Sequence, residues 1–237
     1  MTEAADSASE IVRARAGQEP IEYAFVLGAG LGSVFEGAEN EVSIPYAELP
    51  GFPQLPSSAH EGRLAIGTQD GVRVAYMLGR SHYYETGDPR CMAAPLETLA
   101  LLGARQIVLT GSAGSAKADL YPGAIAILAD HINLCGVNPL IGIASDGGSI
   151  SLTETYDPRF TRRLKRSTVR AGVTIHEGVY MWFSGPSFET PAEVKMARVV
   201  GADLIGMSIV PEAILARRLG LRVAALAVVT HFGAGFS

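Results

Sequence analysis

Six apolar runs of this chain each close on a cluster of glycine and polar residues, and that repetition limits the fold more than any other feature. Tyr23–Leu27 runs into Gly28-Ala29-Gly30-Leu31-Gly32, and Val72–Leu78 into Gly79-Arg80-Ser81-His82-Tyr83-Tyr84-Glu85. Gln106–Leu109 runs into Thr110-Gly111-Ser112-Ala113-Gly114-Ser115, and Val179–Phe183 into Ser184-Gly185-Pro186-Ser187-Phe188-Glu189. Asp203–Met207 closes on Gly206-Met207-Ser208, and Arg222–Val229 on Thr230-His231. The runs lack polar–apolar alternation, as expected of strands buried on both faces.

Helical signals stand between them. Residues 92–102 read as a helix, and residues 8–17 as a short one ahead of the first strand. Asp157 precedes Pro158 as an N-cap before a basic surface helix, and Thr190-Pro191-Ala192-Glu193 is a capping box for a helix to about Val200. A further helix is expected at Pro211–Leu219. Gln69-Asp70-Gly71 between two apolar runs predicts a hairpin, residues 123–128 another strand ahead of Asp130-His131-Ile132-Asn133, and residues 45–62 and 136–152 loops. The alternation predicts a single α/β domain over 1–237, three layers deep, with a largely parallel sheet. Ligands of such sheets sit beyond the carboxyl ends of the strands, where the six clusters fall.

Composition narrows the function. Hydrophobic residues make up 48% of the 237, enough for a large core. A net charge of −5 gives no overall attraction for a phosphate backbone, so nucleic acid is not an expected partner. A small phosphate-bearing ligand needs only one or two local cations. Cys91 and Cys135 have neither metal nor redox spacing, so no metal is expected. The N-terminus lacks a signal-peptide pattern, and no run approaches a membrane span, so no membrane is expected and the cytoplasm is the default compartment.

The clusters have both plain and chemical readings. The glycine turn at 28–32 is either a simple turn or an anion cradle; its spacing is not GxGxxG, and no acidic ribose anchor follows. Arg80 and His82 lie on one side of an extended segment, either as surface groups or as a fork for a phosphate dianion. Phe188 and Glu189 serve either core and helix N-terminus or as an aromatic face and carboxylate for an N–H-bearing heterocycle.

Taken in order, LGAGLG, the His60-Glu61-Gly62-Arg63-Leu64 stretch, GRSHYYE, TGSAGS, DHINL, NPLIG and the unbroken GPSFETPAEVKMARVVGADLIGMSIVPEAILARRLGLRV resemble the trimeric purine nucleoside phosphorylases from about Val26 onward. The resemblance implies a mixed, partly barrel-like central sheet and a homotrimer. It implies cleavage of purine nucleosides by inorganic phosphate, a co-substrate, with no organic cofactor. It makes Arg80, His82 and Ser208 phosphate ligands, with the backbone N–H of Ser112 and the turn at Ala29. It makes Tyr84 and Met207 sugar contacts, Phe188 and Tyr180 walls for base or sugar, and Glu189 the acceptor of N1–H of a 6-oxopurine. Glu85 and His60 are implied to support the phosphate region.

Several positions depart from the family's pattern. Ala29 stands for a serine, Gly111 for an asparagine, Ser149 for a partner-facing phenylalanine, and His231 for an asparagine on the leaving base. His231 either donates a proton at N7 or packs its ring in the core and leaves the purine to Glu189. The chain ends at Ser237, before the family's C-terminal helix. The alternative function is a catalytically weak nucleoside-binding relative; an NAD-dependent enzyme would need the missing ribose anchor.

Overall fold

The computed structural model describes residues 1–28, 31, 38–55, 62–143 and 149–235. Nine strands form one sheet in the order β2-β3-β4-β1-β5-β8-β7-β6-β9, and β9 pairs back onto β5. The five strands β5 (Gln106–Ser115), β8 (Leu204–Gly206), β7 (Ile175–Trp182), β6 (Ile125–Asn133) and β9 (Arg222–Phe232) therefore close a ring. The other four, β1 (Tyr23–Leu27), β4 (Val72–Leu78), β3 (Arg63–Gln69) and β2 (Glu39–Pro45), extend from β5 as an open wing.

The sheet is mixed rather than largely parallel. β1 runs parallel to β4 and β5, and β5 runs parallel to β9. β8 is antiparallel to β5 and β6 is antiparallel to β9. This reversal corrects the single-ended picture of the ligand clusters. Because β8 runs back along β5, Ser208 meets the middle of β5 at Gly111, not its end.

Local signals behave as their chemistry dictates. Asp70 (φ 49°) and Gly71 (φ 74°) make the two-residue turn of the β3–β4 hairpin, with Gln69 paired to Val72. Asp157 accepts the Phe160 N–H at 2.7 Å to start α4 (Pro158–Arg170). Thr190 and Glu193 cap α5 (Pro191–Val199) reciprocally. α3 (Ala93–Leu101) and α6 (Val210–Arg218) lie where expected.

Differences have physical causes. α1 is longer than expected, Glu3–Ala16, because Thr2 caps it and also donates through its N–H and Oγ1 to Glu97 Oε2, both at 2.7 Å. The region 45–62 was expected to be loop, and a 3-10 turn at Tyr46–Glu48 interrupts it; the edge strand β2 was not expected. TGSAGS and Thr230-His231 do not follow their strands but lie within β5 and β9, since the two pair along their length to Ser115↔Phe232. GRSHYYE contains a one-turn helix, α2 (Tyr83–Thr86).

The largest core cluster includes Ile107 and Leu109 of β5, Leu96 and Leu99 of α3, Ile214 of α6 and Val223 of β9. Among the described residues no helix is long and apolar enough to cross a membrane.

Candidate functional site

A cleft of about 200 Å³ opens on the ring and is lined by residues from five of the six clusters. His82 and Tyr84 come from the segment after β4, and Ser112, Ala113 and Gly114 from β5. Phe188 and Glu189 come from the segment after β7, Met207 and Ser208 from the segment after β8, and His231 from β9. Larger hollows of about 440 and 580 Å³ lie elsewhere, the first walled by Leu140, Ile141, Ile150 and Leu152, the second by Pro53, Thr86 and Cys91. Neither brings several of the sequence-marked clusters together, whereas the 200 Å³ cleft does.

One end of the cleft carries hydroxyl and imidazole groups. His82 Nδ1 lies 2.8 Å from Glu85 Oε1, and Ser81 donates to Glu85 Oε2 at 3.2 Å, so Glu85 orients the histidine as expected. The His82 ring stacks on Tyr84 at 5.0 Å. Burial, then the Arg80 charge, push the His82 imidazolium below its ordinary pKa, against the raising effect of Glu85. Ser112 is exposed to the cleft, and Ser208 is 9% exposed.

The segment that presents Ser208 is tightly determined. Ile209 has φ 68° and ψ −54°, and Val210 donates to Ser208 O at 2.7 Å, which is a γ-turn of the rare positive-φ kind. A β-branched residue there stores on the order of 1–3 kcal/mol, tolerated only where the surroundings over-determine it. Glu212 accepts the Ile209 N–H at 2.9 Å, and Ile209 is fully buried.

Arg80 does not line the cleft. Its side chain is 1% exposed, donates through Nη1 to Thr110 O, and lies with Nε 2.8 Å from Glu212 Oε1. That ion-pair contact lacks hydrogen-bond geometry, and Arg80 Nε, Arg80 Nη2 and Glu212 Oε1 have no hydrogen-bond partner among the described residues. Arg80 borders a void of about 10 Å³ behind the cleft, walled also by His82, Ser208 and Glu212. Arg80 thus stands behind His82 and Ser208, with its guanidinium beside Glu212.

Tyr180 also stands off the cleft lining. It is fully buried, and its hydroxyl accepts the Ser208 N–H at 3.3 Å instead of facing the cleft. The inward face of β7 at this register looks onto Gly206, and a Cβ on Gly206 would collide with the Tyr180 hydroxyl.

The other end of the cleft carries the aromatic face and the carboxylate. Phe188 is 73% exposed at the lip and meets the His231 ring edge-on at 5.3 Å. Glu189 is 8% exposed, and its Oε1 is buried without a hydrogen-bond partner among the described residues. Burial raises the Glu189 pKa, with the nearby His231 charge opposing. His231 Nδ1 lies 2.9 Å from Thr230 Oγ1, and its Nε2 faces Gly114. Gly185, at φ 67°, has no room for a Cβ because Met207 Sδ and the Tyr84 ring meet above it. That approach brings the two expected sugar contacts side by side. Ala29 and His60 lie outside the described residues.

Sequence reading missed Glu212. Its signal was present: a glutamate three residues into a helix that starts at Val210-Pro211 is placed to reach back to the free N–H at the helix start.

The fold is that of the phosphorylase superfamily, whose model matches residues 22–236. The chain is 36% identical over 217 residues to purine nucleoside phosphorylase 1 of Geobacillus stearothermophilus, covering 90% of this chain and 79% of that one. It superposes on a Schistosoma mansoni purine nucleoside phosphorylase solved with adenosine at a TM-score of 0.90, with 31% identity, 98% of this chain and 84% of that one covered. A purine nucleoside phosphorylase solved with ribose-1-phosphate gives a TM-score of 0.89 at 32% identity, covering 98% of this chain and 88% of that one. This chain belongs to the purine nucleoside phosphorylase family.

Proposed function

We propose that the chain cleaves purine nucleosides by phosphorolysis, with 6-oxopurine nucleosides preferred. A phosphate oxygen attacks C1′ while the C1′–N9 electron pair leaves with the purine, which takes up a proton. Three tasks follow: hold a dianion, orient a sugar, and stabilise negative charge on the departing base.

The observation that carries the reading is the division of the cleft. His82, Ser112 and Ser208 stand at one end, where a phosphate is held, and Arg80 adds positive charge from behind. Tyr84 and Met207 lie alongside as sugar contacts. The unpartnered Glu189 Oε1 stands at the other end beside Phe188, where it accepts N1–H of a stacked hypoxanthine or guanine. An adenine N1 bears no proton, so an ionised Glu189 disfavours it.

His231 serves as the proton donor near N7. Thr230 Oγ1 lies 3.4 Å from Ala113 O and 2.9 Å from His231 Nδ1. When the threonine proton goes to Ala113 O, Nδ1 is the donor to Thr230 and Nε2 is bare. Donation from Nε2 to the purine then requires the imidazolium. A homotrimer in the cytoplasm, as the family resemblance implies, completes the proposal.

The test is base release from inosine, guanosine and adenosine with and without phosphate. The proposal expects release only with phosphate, fastest for inosine or guanosine. Release without phosphate would mean hydrolysis, and purine binding without release would mean a nucleoside-binding protein.

A further inference from the structure

We propose that Glu212 is a positioning residue that fixes Arg80 and Ser208 relative to each other and so sets the phosphate end of the cleft. The proposal rests on the phosphorolysis reading above.

Glu212 is 3% exposed and touches two separate parts of the site. Its Oε2 accepts the Ile209 N–H at 2.9 Å, which holds the γ-turn that directs Ser208. Its Oε1 lies 2.8 Å from Arg80 Nε. The turn's other N–H groups go elsewhere, Ser208 to the Tyr180 hydroxyl at 3.3 Å and Val210 to Ser208 O at 2.7 Å, and Pro211 has none to offer. One carboxylate thus sets both the strained turn and the guanidinium.

The linkage continues away from Glu212. Arg80 Nη1 donates to Thr110 O, and Thr110 Oγ1 accepts the Gly28 N–H at 2.9 Å, where the glycine turn begins. Thr110 Oγ1 also donates to Val26 O at 3.0 Å. Glu212 therefore joins α6 to β5 and, through β5, to the end of β1. Arg80 Nη2 is left as a buried donor without a partner, beside a void bordered by His82 and Ser208. That void has room for about one water. A donor in that place adds its charge to an anion held by His82 and Ser208 only while its direction is kept, and Glu212 keeps it.

A glutamate suits this place better than a glutamine. It accepts the turn N–H with one oxygen and neutralises a buried guanidinium with the other, and an unneutralised buried charge is costly. A glutamine retains the size and one acceptor but not the charge.

The experiment is steady-state kinetics of Glu212→Gln with phosphate and inosine varied in turn. The expected result is a KM for phosphate raised tenfold or more. The KM for inosine should stay within about twofold, and kcat at saturation within about threefold. A lower melting temperature with both KM values unchanged would reduce Glu212 to a purely structural group and overturn the proposal. So would a parallel rise in both KM values, or a lower KM for phosphate.

Glu212→Asp is the second variant: it keeps the charge but is too short to reach Ile209 and Arg80 together, and it should show the same split. If the glutamine variant does not fold, the aspartate variant decides alone. Should the parent release no base, the phosphorolysis reading fails separately. Calorimetric binding of inorganic phosphate to parent and variants then still reads the positioning role, with tenfold weaker binding expected and equal binding contradicting it.

Discussion

At the scale of single residues, the most exacting assignment is Glu189. Its Oε1 is buried with no partner, a costly state unless a ligand N–H occupies it. Glu189→Gln keeps the shape and loses the charge. A charge-assisted hydrogen bond is worth about 1.5–3 kcal/mol, so kcat/KM for inosine should fall at least tenfold. An unchanged value would remove Glu189 from the base site.

The pH dependence has a definite sign. Only the ionised carboxylate accepts N1–H, and burial raises the Glu189 pKa above 4.5. Cleavage of inosine should therefore fall on the acid side at a higher pH than an ordinary carboxylate would set, and the adenosine-to-inosine ratio should rise on acidification. Glu189→Gln should lack that acid limb, as rates measured across pH will reveal. His231 is tested by substitution at a fixed pH. Loss of a positioned proton donor should lower kcat for inosine in His231→Asn by tenfold or more; an unchanged kcat would reject the proton-donor role.

The residues at the cleft were mostly legible in sequence because each closes an apolar run and carries chemistry. Arg80 and Tyr180 were legible as residues of the region but not by direction. Whether a buried arginine faces a ligand or a carboxylate depends on Glu212, which lies 132 positions along the chain and is brought near only by folding.

At the scale of elements, local chemistry was readable and pairing was not. Asp157-Pro158, the Thr190 capping box and Asp70-Gly71 announced their turns because each satisfies backbone groups within three or four residues. β2 was hidden because an edge strand exposes much of its length: of Glu39–Pro45, only Ile44 is buried. The extension of β5 through its glycines was hidden because it depends on pairing with β9, more than 100 residues away.

The contact between β7 and β8 makes a prediction of its own. A Cβ on Gly206 would strike the Tyr180 hydroxyl, which also holds the Ser208 N–H. Gly206→Ala should lose about 1–3 kcal/mol through overpacking. For a chain of this size that is a fall of roughly 2–12 °C in melting temperature. Adding Tyr180→Phe removes the colliding oxygen and should recover part of the loss. A thermal melt of the single and double variants checks this, and no recovery would show that the hydroxyl is not the obstacle.

At the scale of the whole molecule, closure of the ring through β5 and β9 gathers residues from His82 to His231 around one cleft. α1 stands apart from it, packing on α3 through buried Ala5, Ala8 and Val12 and through the Thr2–Glu97 bonds. Removing residues 1–16 uncovers the face of α3 that carries Glu97 and Thr98 without touching a cleft residue. The expected outcome is a melting temperature lower by 5 °C or more, at about 2–4 °C per kcal/mol. The kcat/KM of the folded fraction should stay within about twofold.

The account's central claim is that one cleft holds phosphate at one end and a 6-oxopurine at the other. The most direct measurement follows hypoxanthine and ribose 1-phosphate formed from inosine as phosphate is varied from zero to saturation. The account predicts no base release without phosphate, saturation with phosphate, and one ribose 1-phosphate per hypoxanthine. Hypoxanthine released at the same rate without phosphate, with free ribose as co-product, would contradict it.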